Sequence, residues 1–148
     1  MGLDMTISAT KHFDVYDEEF LHSLELAELM PVGCIPMSVS VEAIYWRKAN
    51  QIHGWFSANL SGEVNDDNVV AVTEDDIVSL LNTINNILPD NAELAEKELP
   101  PTTGFFFGPC EINEYYFDSL KYTEEKLSAL LDKQLTNKGY ILEYYASW

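Results

Sequence analysis

One short segment holds the side chains best suited to bind an anion. Arg47 is the only arginine of the chain, Lys48 follows it directly, and Trp46, His53 and Trp55 lie close by. A guanidinium can bind a carboxylate or phosphate through two hydrogen bonds and can stack on an indole. We therefore predict that this segment anchors a ligand or a partner. The alternative is an internal salt bridge from Arg47 to a carboxylate, with the imidazole and the indoles partly buried.

Catalytic chemistry is less well indicated. His53 is the only evident proton carrier of the segment, and no Ser, Cys or Asp partner can be assigned to it from spacing. Thr102, Thr103 and Gly104 could offer hydroxyls and amides to an anion, but the lysine and the glycine spacing of a phosphate loop are missing. We predict instead that the aromatic run at 104–108 is a central strand covered on both faces. The catalytic residues stay unassigned.

The acidic residues and the cysteines do not form a recognisable metal site. Residues 66–68 and 74–76 are rich in carboxylates but lack the alternating ligands and central glycine of a calcium loop. They predict a solvated acidic face, with a weak divalent-cation site as the alternative. Cys34 and Cys110 lack paired-ligand spacing, so two buried thiols are expected. No metal and no cofactor is predicted.

Charge restricts the classes of partner. The chain has 25 acidic and 8 basic side chains in 148 residues, a formal net charge of −17. No Lys or Arg lies between Lys48 and Lys97, whereas nine carboxylates do. Such a surface repels phosphate backbones and anionic lipids, which argues against direct nucleic-acid or membrane binding, and it attracts a basic protein. The alternative is that the acidity only keeps the protein soluble.

The remaining sequence predicts one domain over residues 1–148, in the cytoplasm. No apolar run is long enough for a membrane span, and the N-terminus lacks a signal-peptide pattern. Period-two alternation predicts strands at 5–10 and 37–45, and the aromatic, branched residues at 140–148 predict a terminal strand. Apolar residues at helical spacing predict helices at 14–29, 49–60, 77–88 and 114–135, with a short piece at 92–99. About four strands and four helices indicate an α+β fold, with a mainly antiparallel or mixed sheet packed against helices.

Four blocks spread over the chain resemble a family of small proteins found in bacteriophages, prophages and bacterial genomes. They are Gly2-Leu3-Asp4-Met5, Tyr45-Trp46-Arg47-Lys48 with His53 and Trp55, Thr103-Gly104-Phe105-Phe106-Phe107-Gly108, and Tyr144-Tyr145-Ala146-Ser147-Trp148. The resemblance implies a phage or prophage setting and no particular reaction. The chain departs from it at Ala146, where the family pattern is more serine-like.

The resemblance also joins residues that are distant in sequence. It adds Thr103, Ser147 and Trp148 to the candidate site of Trp46, Arg47, Lys48, His53 and Trp55. These side chains would form a small cationic, aromatic-walled pocket if the strands that carry them were neighbours.

Two functions follow as hypotheses. The first is a non-enzymatic accessory protein whose acidic face engages a basic host protein, for example a defence component or a nucleic-acid enzyme that it inhibits. The second is a module, or a small hydrolase, for a nucleotide or phosphorylated ligand, in which Arg47 and Lys48 bind the anion and His53 carries the proton. The sequence leaves the partner and the oligomeric state open.

Overall fold

A computed structural model describes residues 2–13, 31 and 36–148. The helix predicted at 14–29 and Cys34 lie outside these residues. In chain order the elements are β1 (Asp4–His12), β2 (Ser38–Arg47), α1 (Asn50–Asn59), β3 (Val69–Val72), α2 (Glu74–Ile87), α3 (Ala92–Glu98), α4 (Glu114–Asp132), a 3₁₀ turn (Thr136–Lys138) and β4 (Ile141–Ser147). The predicted α+β class is confirmed, with four strands and four α-helices among the described residues.

The four strands form one antiparallel sheet in the order β2-β1-β4-β3. β1 is an inner strand of the sheet, because it pairs with β2 on one side and with the C-terminal β4 on the other. Met5, Ile7 and Ala9 of β1 are fully buried, while Thr6 and Ser8 between them are partly exposed. This alternation fits a sheet that has the described helices packed on one of its faces.

A β-bulge in β2 changes which of its residues face the core. Ile7 pairs with Ile44 and Ser8 pairs with Glu42, so Ala43 is the extra residue. The alternation predicted for 37–45 placed Tyr45 on the same face as Val41. That prediction is wrong, because the bulge shifts the pleat by one residue and directs Ile44 and Trp46 to the core.

The helices cover one face of the sheet with regularly spaced apolar side chains. Those with little or no exposure are Ile52 and Phe56 of α1, Ile77, Leu80 and Ile84 of α2, and Leu120 and Leu127 of α4. Each fully buried aliphatic side chain contributes about 1.5–3 kcal/mol relative to leaving it exposed. The helices predicted at 49–60, 77–88 and 114–135 are therefore confirmed; α1 is one residue shorter at each end, α2 begins earlier, at Glu74, and α4 ends earlier, at Asp132.

The aromatic run at 104–108 is a loop, which corrects the predicted central strand. Phe105 and Phe106 are 78% and 46% exposed, and only Phe107 is buried. Phe106 has a φ of +64°, a left-handed conformation that cannot continue an extended strand. The fourth strand of the sheet is instead Val69–Val72, a segment too short to classify from its sequence.

The start of α2 offers a test of local structure. Thr73 and Asp76 form a reciprocal capping box, in which the Thr73 hydroxyl accepts from the Asp76 amide at 3.1 Å and the Asp76 carboxylate accepts from the Thr73 amide at 2.8 Å. We expect Thr73→Ala to lower the free energy of unfolding by about 1 kcal/mol, measured by urea denaturation. Thr83→Ala in the same helix is the control. Its hydroxyl donates only to the Ser79 carbonyl, so an equal loss there would contradict the capping explanation.

Candidate functional site

Arg47 lies on the face of the sheet opposite the helices. It pairs with Asp4 of β1, which pairs in turn with Ser147 of β4, so the three form a row across the end of the sheet. The Arg47 side chain is 58% exposed, and its Nε is 4.0 Å from Asp4 Oδ1. The same carboxylate oxygen accepts a hydrogen bond from the Tyr45 hydroxyl. The guanidinium is thus accessible to a partner, since its ion pair is long and open to water.

Lys48 is held by its backbone and its aliphatic stem. It has a φ of +58°, and its amide donates to the Leu3 carbonyl at 2.7 Å. A Cβ on Gly2 would lie 3.3 Å from Lys48 Cε, and one on Gly108 would lie 3.1 Å from Lys48 Cβ. Glycine at both places leaves room for the stem between them. No carboxylate among the described residues forms an ion pair with the exposed ammonium.

The two indoles of the candidate site belong to the core. Trp46 is 3% exposed, and its Nε1 donates to Thr123 Oγ1 at 2.9 Å. Trp55 is 8% exposed and packs edge-on against Phe56. A cavity of about 150 Å³ lies beside Trp55, bounded by Gly54, Leu99 and Thr102 among others. Neither indole face is free to stack on a ligand in this structure.

His53 is enclosed by aromatic rings. It is 4% exposed, with the rings of Phe107 and Trp148 in edge contact at centroid distances of 5.1 and 5.0 Å. Its Nδ1 lies 2.8 Å from the hydroxyl of Tyr144, which is itself fully buried. Burial lowers the pKa of His53 and raises the pKa of Tyr144. The pair is therefore neutral near pH 7, and one hydrogen bond joins the imidazole to the tyrosine hydroxyl.

This environment does not favour acid–base catalysis by His53. The partner of the imidazole is a tyrosine that keeps its proton, and among the described residues no carboxylate forms a hydrogen bond or ion pair with the ring to stabilise an imidazolium. The ring instead fills space between α1, β4 and the aromatic loop. Its chemistry is that of a satisfied core histidine.

Asn50 is the residue that organises the site, although no motif or spacing in the sequence singles it out. Its Nδ2 donates to the carbonyls of Phe107 at 3.2 Å and Pro109 at 3.0 Å, and its Oδ1 accepts from the Thr102 amide at 3.0 Å. The residue is 2% exposed, and its bond to the Phe107 carbonyl is buried, while the other two bonds are partly buried. A single carboxamide thus fixes both ends of the loop that carries the aromatic run. Its position at the start of a helix was visible in the sequence, but its distant partners were not.

The acidic loop before β3 fastens the C-terminus. Asp66 Oδ1 accepts from the Trp148 amide at 2.9 Å, and Asp67 Oδ1 accepts from the Tyr145 hydroxyl at 2.6 Å. The Asp67 amide also donates to the Ala146 carbonyl at 3.0 Å. The hydrogen bond to Asp67 raises the pKa of Tyr145. Two carboxylates of the predicted solvated face therefore have structural roles as well.

The structure divides the eight candidate residues into groups. His53 and Trp148 are in contact, and Trp46 and Trp55 are in the core. Arg47 and Lys48 share an exposed corner beside Gly2, and Ser147 lies in the row with Arg47. Thr103 is exposed. Residues 46 and 47 point to opposite faces because side chains alternate along a strand. The described contacts therefore do not gather all eight into one pocket.

Carboxylates without cationic partners dominate the acidic stretch. Of its nine members, only Asp90 forms an ion pair among the described residues, with Lys121 at 3.9 Å. They come from the 61–68 loop, the first turn of α2, the turn before α3 and α3 itself: Glu63, Asp66, Asp67, Glu74, Asp75, Asp76, Asp90, Glu93 and Glu96. Within the described ranges, no group of three or more His, Cys, Asp or Glu side chains is placed to hold a metal ion.

Cys110 is exposed, which corrects the expectation of a buried thiol there, because it lies in the loop after Gly108 and not in the core. In the part of the chain that is described, no helix has the length and apolarity needed to cross a bilayer. Comparison with protein-family models, curated protein sequences and solved structures gives no match.

Replacing the Asn50 side chain should destabilise the protein strongly. We expect Asn50→Ala to lower the free energy of unfolding by about 2–4 kcal/mol, since three backbone groups lose the hydrogen bonds that this buried side chain gives them. The Phe-rich loop should also become more sensitive to chymotrypsin. Asn59→Ala in the same helix removes one bond, to the Trp55 carbonyl, from an exposed side chain and should cost far less. Equal losses in the two variants would contradict the role given to Asn50.

The buried imidazole predicts a pH dependence of stability. The folded pKa of His53 is lowered, so below its unfolded value of about 6.5 the unfolded state binds a proton that the folded state excludes. Stability should fall as the pH drops through this window, by up to about 1.4 kcal/mol per pH unit, and level off below the folded pKa. His53→Gln should show a flatter profile between about pH 7 and pH 5 by urea denaturation. Parallel profiles would show that His53 is not the titrating group.

Proposed function

We propose that this chain is a non-enzymatic accessory protein of phage or prophage type that binds a basic protein surface in the bacterial cytoplasm. The observation that carries the proposal is the acidic stretch, in which nine carboxylates are accompanied by no Lys or Arg. The described ion pairs neutralise only one of the nine. A surface of this kind retains its field for an oppositely charged partner.

Electrostatics would act mainly on association and selectivity. A strongly acidic surface accelerates encounter with a basic one and disfavours acidic competitors. A protein that binds DNA presents such a basic surface, because it must neutralise phosphates with Lys and Arg. Occupation of that groove by carboxylates would inhibit the DNA-binding protein without any chemistry. A defence component or a nucleic-acid enzyme of the host is therefore the class of target that we favour.

The alternative, a pocket for a nucleotide or phosphorylated ligand, has less support. It requires Arg47, Lys48, His53 and an indole on one wall. Arg47 lies on the open face of the sheet, whereas His53 and Trp46 are buried on the face that the helices cover. A ligand bound by the cations would not reach the imidazole without rearrangement of the core.

The proposal can be tested by neutralising carboxylates that have no structural role. Glu93 and Glu96 of α3 are exposed, and neither forms an ion pair among the described residues. We expect the wild-type protein, immobilised at low salt, to capture a basic bacterial protein, and we expect the capture to weaken steeply as salt is added. Glu93→Gln with Glu96→Gln should reduce the captured amount several-fold through loss of steering.

A matched variant controls for net charge. Glu125→Gln with Asp132→Asn removes two exposed carboxylates from α4 instead, and it should leave the capture close to wild type. If both double variants lose the partner equally, net charge and not the acidic stretch explains the binding. If the captured protein is not basic, or if salt leaves the capture unchanged, the proposal is wrong.

A further inference from the structure

Two phenylalanines are exposed on a loop whose backbone is fixed by hydrogen bonds. Phe105 and Phe106 are 78% and 46% exposed, and their rings are in edge contact with centroids 4.4 Å apart. The next residue, Phe107, is 6% exposed and packs against His53 and Trp148. The chain thus buries one ring of the run and leaves the other two in water, which is a costly arrangement for apolar surface.

Two cations that are adjacent in sequence, Arg47 and Lys48, lie next to the loop that carries these rings. The Leu3 amide donates to the Phe106 carbonyl at 3.3 Å, and the Leu3 carbonyl accepts from the Lys48 amide. Leu3 therefore bridges the aromatic loop and the end of β2. Arg47 Nη2 would lie 3.7 Å from a Cβ on Gly2, so the guanidinium reaches the same corner. We call Arg47, Lys48, Phe105 and Phe106 the cation–aromatic surface.

The backbone that presents this surface is fixed in a strained conformation. Lys48 and Phe106 both have left-handed φ values, +58° and +64°, and neither is a residue type that tolerates this region easily. Asn50 holds the loop on both sides of Phe106, through the Thr102 amide and the Phe107 and Pro109 carbonyls. Strain of this kind persists only where the surrounding structure imposes it. The rings are therefore held in place before any partner arrives, which reduces the ordering cost of binding.

We propose that the cation–aromatic surface is a second docking surface, which binds a protein segment that carries a carboxylate next to an apolar side chain. The two cations select the acidic group, and the two rings select the apolar one. Exposed aromatic residues with an adjacent arginine are the residue types that dominate protein–protein hot spots. Rings this exposed are not walls of an enclosed small-molecule cavity, and a charge of −17 opposes a nucleic acid.

This surface is independent of the acidic stretch proposed above. Its sign is opposite, and its residues come from the end of β2 and the aromatic loop. A partner could use both surfaces, or two partners could use one each. The experiment must therefore distinguish acidic–apolar ligands from basic ones.

A library of short random peptides provides the probe, because it samples both classes. The folded wild-type protein is used for selection, and enriched peptides are measured by calorimetry against single variants. We expect a class of peptides with Asp or Glu beside Phe, Leu or Trp. Arg47→Gln, Lys48→Gln and Phe105→Ser should each weaken their binding about ten-fold or more. Each variant side chain is exposed, so circular dichroism and unfolding should remain near wild type.

Controls at the far end of the sheet match each change. Met37→Ser removes an apolar side chain that is 80% exposed, and Lys138→Gln removes an exposed cation near the start of β4. β2 runs between Met37 and Arg47, so about 30 Å separates the control from the tested corner. Both controls should bind the selected peptides like the wild type.

Four outcomes overturn the proposal. They are the absence of an enriched acidic–apolar class, equal loss of binding in the controls, self-association of the wild type that Phe105→Ser abolishes, and sedimentation with phosphatidylcholine–phosphatidylserine vesicles that depends on Phe105. In the last two cases the occupant is a second copy or a membrane. Enrichment of basic peptides alone, with binding that Glu93→Gln and Glu96→Gln weaken, would overturn this inference while supporting the acidic-face function.

Discussion

The hydrogen bonds of the Asn50 carboxamide are the interaction on which the conformation of the aromatic loop depends. They tie the first turn of α1 to backbone groups on both sides of the aromatic loop. A loop of this length exposes several carbonyls and amides, and a buried side chain with two donors and an acceptor can satisfy three of them at once. Because the loop is fixed at these points, Phe107 packs in the core beside His53, and the side chains of Phe105 and Phe106 are exposed to solvent.

A second constraint is the alternation of side chains along the strands, which determines which candidate residues lie on the same face of the sheet. β1 carries buried residues on the helix side and polar residues on the other, and the bulge at Ala43 sets the phase of β2. The same pleat that buries Trp46 exposes Arg47. Candidate residues that are neighbours in sequence therefore lie in different environments, with the indole in the core and the guanidinium on the surface. Sequence proximity alone suggested a common pocket.

Much of the fold was predictable from the sequence, and less of the site. The apolar spacing of α1, α2 and α4 and the Thr73–Asp76 box are local signals, and the structure follows them. Periodicity does not report contacts between residues that are distant in sequence, such as those of Asn50, whose partners lie more than fifty positions away. The bulge in β2 and the exposure of Phe105 are likewise not visible in the periodicity. Phe-Phe-Phe between glycines predicts a buried strand by composition. Only the hydrogen bonds of Asn50 and the left-handed conformation of Phe106 show why it becomes a loop.

The distribution of charge has consequences that salt experiments alone cannot separate. Self-repulsion at a net charge of −17 weakens the compact state, and added salt relieves it. Salt would also weaken the partner binding that we propose for the acidic stretch and for the cation–aromatic surface, since both proposals rest on exposed charges. Asp66 and Asp67 add a further coupling, because they hold the C-terminal strand as well as contributing to the field. Charge removal at those two positions would therefore disturb fold and recognition together, whereas Glu93, Glu96 and Arg47 allow the two surfaces to be altered while the core keeps its contacts.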